Sequence, residues 1–287
     1  MKKTMRLDKM LGNLGYGTRS GIKQLVRQGA VTVNGARAKD AGMQIDPERD
    51  EIQLDGERVV YRDTVYVMLN KPAGYVSATE DARDRTVLEL LPEELSVFSP
   101  FPVGRLDKDT EGLLLLTNDG KLSHELLSPR KHVPKTYRAL VAGEVGEPDA
   151  RAFSAGVALD DGYVTLPAAL RVLSRTEGAA PFADDEAEAA VARLKSHPPL
   201  TTNRAAYAQT LAGDGKLSWI ELTIHEGKFH QVKRMFQAVG KQVLYLRRVA
   251  MGPMPLDPGL SPGEWRELAD AEVDQLRNEQ QRRGTTS

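Results

Sequence analysis

Apolar residues recur at helical spacing near the start of the chain. Positions i, i+3, i+4 and i+7 of one helix face are occupied by Leu7, Met10, Leu11 and Leu14. A second stripe, formed by Ile22, Leu25 and Val26, follows a glycine-rich break, and we expect Ser20 to cap this helix and Gly29 to end it. The pattern therefore predicts two amphipathic helices joined by a short turn.

After the second helix, short apolar runs and Asx-Gly pairs indicate a small sheet. Val31–Val33 leads into Asn34-Gly35, a pair that favours the type I′ turn of a β-hairpin. The segments Ile52–Leu54 and Arg58–Val60 flank a second such pair, Asp55-Gly56. Residues 5–62 are thus predicted to form one module of helix, turn, helix and small sheet.

A larger module, predicted for residues 64–270, mixes the patterns of strands and helices. Its apolar runs of strand length are Val65–Leu69, Leu113–Thr117, Thr136–Val141 and Trp219–Ile224. A helical stripe is formed by Val232, Met235, Phe236 and Val239. Because strands and helices do not alternate strictly, we expect an α+β fold. Residues 174–217 are interpreted as a surface insertion, either with one short helix or partly disordered, and residues 271–287 as a C-terminal tail.

Composition narrows the possible classes of protein and site. The chain has 287 residues, which suggests two domains, and no cysteine, which excludes disulfides, thiol nucleophiles and thiolate zinc sites. Its five histidines form no pair at metal-ligand spacing, so we expect no metal. Because neither a membrane-spanning run nor the apolar segment of a signal peptide is evident, a cytoplasmic protein without membrane association is expected.

Two basic islands occur in a chain whose net charge is only −1. Residues 1–45 contain nine basic and two acidic side chains, and residues 226–250 contain six basic and one acidic. Residues 46–63 are instead acidic, with seven acidic and three basic side chains. Either island alone fits a solvated helix face, but two of them in one chain favour a protein that binds nucleic acid.

The most informative stretch is Gly104–Gly120, in which a charged loop leads directly into the apolar run Leu113–Leu116. A loop held against a sheet in this way can present one carboxylate rigidly, although an ordinary charged loop fits the pattern alone at least as well. One further motif, Leu69–Ser77, precedes this stretch, and two more, Lys135–Tyr137 and Glu226–Phe236, follow it.

These motifs together resemble the RsuA family of pseudouridine synthases. Gly104–Asp107 with Thr110–Leu114 resembles the catalytic motif of that family. Arg6–Lys9, Thr18–Ser20 and Val31–Gly35 resemble the S4 RNA-binding domain that its members carry. The resemblance implies an S4 domain over residues 5–62, followed by a synthase domain with a mixed, mainly antiparallel sheet and a central RNA cleft.

The resemblance also implies roles for particular residues. Asp107 matches the nucleophilic aspartate, and Lys233 the cation that holds it. Tyr137 matches the tyrosine that stacks on the target base, Arg105 the arginine that fills the gap left by the extruded nucleotide, and Leu222 an apolar residue behind the uracil. Contacts with RNA are expected from the basic side chains Arg6, Lys9, Arg19, Lys23, Arg27, Lys71, Arg105, Lys228 and Arg234.

Simpler structural roles fit the same residues when the motifs are set aside. Lys233 fits a solvated helix lysine, and Tyr137 fits a strand tyrosine packed in the core. Arg105 fits a salt bridge to Asp109 or Glu111. Only the tertiary structure distinguishes these possibilities.

The implied reaction breaks the N1–C1′ bond of a uridine, turns the uracil and rejoins it through C5, and it requires no cofactor. The motif His230–Gly240 resembles the small-subunit branch of the family, since large-subunit relatives more often carry arginine where Lys233 lies. The expected partner is therefore 16S rRNA in a partly assembled small subunit, bound by a monomeric enzyme. The alternatives are a 23S rRNA synthase of the same family, a non-catalytic S4-type RNA-binding or ribosome-assembly factor, and a glycosidase.

Overall fold

The computed structural model of the chain describes residues 4–177, 180–196 and 215–284, which form two compact units. The first unit contains the chain up to Val65 together with Leu91–Phe101 and Thr117–Asp119. The second contains Tyr66–Leu90, Pro102–Leu116 and the chain from Gly120 onwards. Within these described ranges, no helix is long and apolar enough to cross a membrane.

The first unit combines three helices with small antiparallel sheets. Its elements are β1 (Met5–Arg6), α1 (Leu7–Asn13), α2 (Arg19–Gln28), β2 (Val31–Val33), β3 (Ala36–Arg37), β4 (Gln44–Ile45), β5 (Ile52–Leu54), β6 (Glu57–Val59) and α3 (Glu93–Ser96). The strands pair in the order β3-β2-β5-β6, and β1 pairs with β4. The predicted succession of helix, turn, helix and small sheet is confirmed.

The apolar stripes predicted for α1 and α2 form the core of this unit. Their buried members are Leu7, Met10, Leu11, Ile22 and Val26. The cap of α2 is Thr18 rather than Ser20, because the Thr18 hydroxyl accepts a hydrogen bond from the backbone N–H of Gly21 at 3.2 Å. Ser20 already lies within the first turn, so the predicted cap was two residues too late.

The remaining strands are β7 (Tyr66–Lys71), β8 (Phe101–Pro102), β9 (Glu111–Thr117), β10 (Lys135–Ala142), β11 (Ala169–Glu177), β12 (Lys216–Ile224), β13 (Gln242–Met251), β14 (Met254–Pro255) and β15 (Trp265–Glu267). The helices of the second unit are α4 (Gly120–Leu127), α5 (Glu147–Ala155), α6 (Asp185–Ser196), α7 (Gln231–Ala238) and α8 (Asp270–Gly284).

One mixed sheet organises the second unit, with strand order β11-β12-β10-β13-β9-β7-β15. Pairing is antiparallel between β10 and β12, β10 and β13, β11 and β12, and β7 and β15, whereas β9 and β13 are parallel. This mainly antiparallel arrangement with flanking helices confirms the predicted α+β fold.

A glycine allows β9 to approach β13 closely. Gly112 has a φ of +100°, and a Cβ atom there would lie 2.2 Å from the carbonyl oxygen of Arg248. A side chain at this position would therefore require the strands to separate. The close pairing anchors the start of β9 in the middle of the sheet, directly after the charged loop of residues 104–110.

The segment interpreted as a surface insertion contributes to the core. β11 extends to Glu177 and α6 follows, while residues 178–179 and 197–214 lie outside the described residues. The side chains of α6 that pack in the cluster around Trp219 are Ala187, Ala190, Val191 and Leu194. Three of these four residues are small or β-branched, so the stripe is weak as a sequence signal even though it packs against the sheet.

The segment interpreted as a C-terminal tail is helical over most of its length. In α8, Val273 and Leu276 are buried, and Leu276 belongs to a core cluster with residues of β7, β9 and α4. These two apolar residues lie in an otherwise polar helix, which explains why the sequence pattern indicated a tail.

Candidate active site

An open cleft lies in the second unit. Its lining comes from the loop before β9, strands β10, β12 and β13, and the start of α7: Arg105, Leu106, Asp107, Thr110, Tyr137, Ile224, Gly227, Lys228, His230, Gln231, Val232 and Leu246. Four residues that the motifs singled out, Asp107, Tyr137, Arg105 and Lys228, therefore lie around one cleft.

Asp107 is held by an ion pair in this cleft. The Nζ atom of Lys233 lies 3.0 Å from Oδ2 of Asp107 and 2.6 Å from Oδ1 of Asp109, so one ammonium binds two carboxylates. Only about a quarter of the Lys233 side chain is exposed. Because the groups are partly shielded from water, their attraction is stronger than that of a fully exposed pair.

Helix α7 determines where Lys233 points. The stripe predicted from the sequence is confirmed, since Val232, Met235 and Phe236 are buried. This packing fixes the rotation of the helix and directs Lys233, between the buried positions, towards the charged loop. Lys233 is thus not a solvated helix lysine.

His230 approaches the other oxygen of Asp107. It precedes α7 with φ 48° and ψ 32°, a left-handed conformation that is uncommon for residues other than glycine. Its Nε2 atom lies 3.5 Å from Oδ1 of Asp107. The carboxylate therefore has Lys233 on one oxygen and His230 near the other, which restricts its orientation.

Lys71 is completely buried at the end of β7. The three N–H groups of its ammonium are shared among the backbone carbonyls of Pro72, Asp107, Lys108 and Thr110, which lie 3.1, 3.1, 3.3 and 2.9 Å from Nζ. Burial lowers the pKa of Lys71 to about 8, although nearby carboxylates oppose this shift. The predicted contact of Lys71 with RNA is wrong, because the ammonium instead binds the loop that carries Asp107.

Tyr137 lines the cleft from β10 with 8% of its surface exposed. It pairs in register with Leu222 of β12, so both side chains lie on the same face of the sheet. Leu222 is fully buried and does not line the cleft, whereas Ile224, two residues further along the same face, does. Ile224 is therefore the residue of β12 that lines the cleft, and the predicted place of Leu222 behind the uracil stays a prediction. The two-residue period of a strand defines the face but not how deep each residue lies.

Both parts of this chain match known protein families. Residues 65–238 match the RNA pseudouridylate synthase family, and residues 5–59 match the S4 domain. The chain is 45% identical over 277 residues to YtzG of Bacillus subtilis, named an uncharacterized RNA pseudouridine synthase, covering 96% of this chain and 100% of that protein. It is 35% identical over 271 residues to ribosomal small subunit pseudouridine synthase A of Escherichia coli, covering 94% and 98% respectively. The chain belongs to the RsuA family of RNA pseudouridine synthases.

A solved structure agrees with this assignment. The crystal structure of a pseudouridylate synthase matches with a TM-score of 0.56 and 34% sequence identity, over 95% of this chain and 99% of that one. The synthase is therefore an isomerase that acts on RNA, with an S4 domain at its N-terminal end. Membership in this family excludes a glycosidase and a non-catalytic RNA-binding factor.

Two basic side chains of the synthase are exposed at the cleft. Arg105 and Lys228 both line it, and within the described part of the chain Arg105 forms no ion pair. Arg234 differs, because its guanidinium pairs with Asp160 and with Asp161, the latter at 2.7 Å, and only 14% of its side chain is exposed. Acidic partners therefore occupy the donors of Arg234, and its predicted contact with RNA stays a prediction.

The basic side chains of the S4 domain face solvent. The exposed basic residues on α1 and α2 are Lys9, Arg19, Lys23 and Arg27. They lie off the buried stripes, as a phosphate-binding surface requires. Arg6 is only half exposed, and it donates two hydrogen bonds, of 2.9 and 2.7 Å, to the buried carboxylate of Asp8.

Two further residues of the site, Asp109 and Thr110, have no role predicted from the sequence. Asp109 shares Lys233 with Asp107, and the signal for it is the Asp-Lys-Asp spacing in a turn closed by the hydrogen bond from Thr110 N to Asp107 O at 3.1 Å. Thr110 lines the cleft, and its buried hydroxyl has no hydrogen-bond partner among the described residues. Nothing in the local sequence indicates that this hydroxyl is unpaired.

Proposed function

We propose that the synthase converts a specific uridine of 16S rRNA to pseudouridine, with Asp107 as the nucleophile. The observation that carries this proposal is the Asp107 carboxylate in the cleft, bound by Lys233 at 3.0 Å and approached by His230 at 3.5 Å. A carboxylate that is already oriented requires little reorganisation during the reaction. This arrangement suits nucleophilic catalysis.

The proposed reaction exchanges one glycosidic bond for another. The N1–C1′ bond breaks, the uracil turns, and a C5–C1′ bond forms. The proton on C5 leaves to solvent and N1 takes up a proton, so the product is an isomer of the substrate. Asp107 forms a transient covalent bond with the nucleotide, and that bond is broken again before the product leaves.

The other residues of the cleft suit a flipped nucleotide. A uridine must leave its helix before it can reach Asp107. In our proposal, Tyr137 stacks on the extruded uracil and Ile224 provides an apolar wall beside it. Arg105, which is exposed at the cleft, fills the position that the nucleotide has left and contacts phosphate.

The choice of 16S rRNA is supported by the relatives and by one residue. Relatives named for the small ribosomal subunit are 35% identical over nearly the whole chain, including those from Vibrio cholerae and Escherichia coli. Lys233, rather than arginine, follows His230-Gln231-Val232, as in that branch. The proposal extends to 16S rRNA within a partly assembled small subunit as the natural form of the substrate.

Tritium release from RNA labelled at C5 of uridine tests the proposal. Wild-type enzyme should release tritium from 16S rRNA, free or partly assembled, and not from 23S rRNA. Asp107→Asn is nearly isosteric, so it should bind RNA normally and release no tritium above background. Release from 23S rRNA alone would reassign the substrate, and normal release by Asp107→Asn would remove Asp107 from the mechanism.

A further inference from the structure

Phe229 is the most exposed large apolar side chain in the described part of the synthase, with 75% of its surface in solvent. A single exposed aromatic residue is ordinary on a protein surface. Phe229 differs because Lys228 and His230, its neighbours in the chain, both line the cleft. The ring therefore lies at the rim of the candidate active site, where no role has been assigned to it.

The ring of Phe229 already takes part in one stacked pair. Its centroid lies 3.8 Å from that of His230, and the two ring planes are inclined by 21°. Because three quarters of the side chain is exposed, the face of the ring opposite His230 is open to solvent. Unpaired bases bind to RNA-binding proteins by stacking on aromatic faces of this kind.

The turn that carries Phe229 is held by buried and partly buried hydrogen bonds. Glu226 accepts hydrogen bonds from the Tyr163 hydroxyl at 2.6 Å and from the Gln231 amide at 2.7 Å. The amide oxygen of Gln231 accepts a hydrogen bond from the backbone N–H of Lys228 at 2.8 Å. A ring on a turn fixed in this way loses little conformational freedom when a base stacks on it, which favours binding.

The charges at the rim indicate which kind of partner the ring meets. Lys228 is exposed, with its Nζ atom 4.3 Å from the ring centroid of Tyr163, and Arg105 is exposed at the same cleft. An exposed aromatic ring at the rim of a cleft that also presents two exposed cations matches the base and the phosphates of an RNA strand. A purely apolar partner would leave both cations unpaired.

We infer that Phe229 is a stacking platform for an unpaired base of the substrate RNA that neighbours the target uridine. The inference rests on the proposed function, because the cleft must hold the target uridine for its neighbour to reach the rim. It adds a second base contact, outside the cleft, to the one proposed for Tyr137. Phe229 thereby contributes to substrate affinity.

Single-turnover kinetics on three variants test this inference. The probe is a short RNA around the uridine that the wild-type enzyme modifies in rRNA transcripts. Phe229→Ala should raise the RNA concentration for half-maximal rate by about 5-fold to 100-fold, with little change in the maximal rate. Phe229→Tyr keeps the ring and should resemble wild type, whereas Phe229→Leu keeps only apolar surface and should fall between them.

The second arm uses RNAs in which one neighbour of the target is replaced by an abasic nucleotide. At one position, this change should weaken binding to the wild-type enzyme but cause no further loss with Phe229→Ala, because both changes remove the same stacked pair. The inference would be overturned if the losses of RNA affinity were additive at every position. It would also be overturned if Phe229→Ala left the RNA concentration for half-maximal rate unchanged. A fall in the maximal rate alone would also overturn it, because the ring would then merely position His230.

Failure of the proposed function would be visible separately in the same experiments. Normal turnover by Asp107→Asn would contradict the assignment of the nucleophile, and the abasic binding comparison would still report on Phe229. The comparison of RNAs with an abasic nucleotide can also be repeated in the Asp107→Asn variant, because no reaction is expected to consume the substrate there.

Discussion

The two basic islands of the sequence behave differently once the chain is folded. In residues 1–45, side chains such as Lys9, Lys23 and Arg27 lie exposed on the S4 domain. In residues 226–250, Lys228 is the one exposed cation of six, all of which the structure describes. Similar local charge has therefore produced an open basic surface in one region and a set of internal contacts in the other.

The partners of the second island explain the difference. Lys233 binds Asp107 and Asp109, Arg234 binds Asp160 and Asp161, and Lys241 binds Asp149 at 2.6 Å, while Arg247 pairs with Glu186 and Arg248 donates to the carbonyl of Leu113. These acceptors come from distant parts of the chain. A run of cations predicts an RNA surface only where no such acceptors fold against it.

Among the cations of the two islands, the largest effect is expected from Lys233, which binds the candidate nucleophile. Lys233→Met should reduce turnover by about 10²- to 10³-fold, because a preorganised charge is lost and two carboxylates are left without their shared ammonium. RNA affinity should change little, as measured by filter binding. Lys233→Arg, which keeps the charge, is the matched control. Lost affinity with normal turnover would place Lys233 among the phosphate-binding cations instead.

Lys71 is the most deeply buried cation of the site, so we expect its substitution to lower the stability of the folded protein. Lys71→Met leaves four backbone carbonyls, three of them in the Asp107 loop, without their donor, so it should lower the free energy of unfolding at pH 7 by about 1–3 kcal/mol. Turnover should fall as the loop loosens. Denaturant titration measures the first effect and tritium release the second. Unchanged stability with reduced RNA affinity would instead indicate a direct contact of Lys71 with RNA.

The pH dependence of stability checks Lys71 independently. Its pKa falls from an ordinary value of 10.5 to about 8 on folding, so the unfolded chain binds more protons between these values. The free energy of unfolding of wild type should therefore rise, relative to Lys71→Met, as pH increases from about 8 to 10.5. Below pH 8 the difference should be constant. Parallel curves across the whole range would contradict the burial of this ammonium.

Exposed cations of the S4 domain should affect the salt dependence of binding rather than turnover. Replacing Lys9 and Lys23 by Gln should make the slope of log affinity against log salt concentration shallower by about 0.7–0.9 per lysine. The matched control replaces Arg49 and Arg58, two exposed cations of the acidic segment 46–63, by Gln. This control should leave the slope unchanged. Equal slopes for both double variants would mean that the helix face of this domain does not contact RNA.

The smallest effect is expected from Arg234. Because Asp160 and Asp161 occupy its guanidinium, Arg234→Gln should shift the salt slope by far less than the roughly 0.7–0.9 expected for one phosphate contact. A shift of that full size would show that the pairs with aspartate open when RNA binds. The same salt titration used for the S4 variants gives the answer.

Local sequence patterns determined the fold class and the family. The spacing of Leu7, Met10 and Leu11 predicts the buried face of α1, and the stripe Val232, Met235 and Phe236 predicts that of α7, because a helix repeats every 3.6 residues whatever surrounds it. The motif segments are also local, so their resemblance to one family is readable without coordinates. The roles assigned to Asp107, Tyr137 and Lys233 through that resemblance remain predictions.

Tertiary structure alone decided which charges and apolar groups meet one another. Lys233 and Asp107 are 126 positions apart, and Lys71 reaches the loop of Thr110 across 39 positions. The depth of Leu222 beneath the cleft depends likewise on which strands pair with β12. Burial and ion pairing depend on which groups are neighbours in space. A cation binds a carboxylate where the fold places one beside it, and it remains available to RNA where the fold does not.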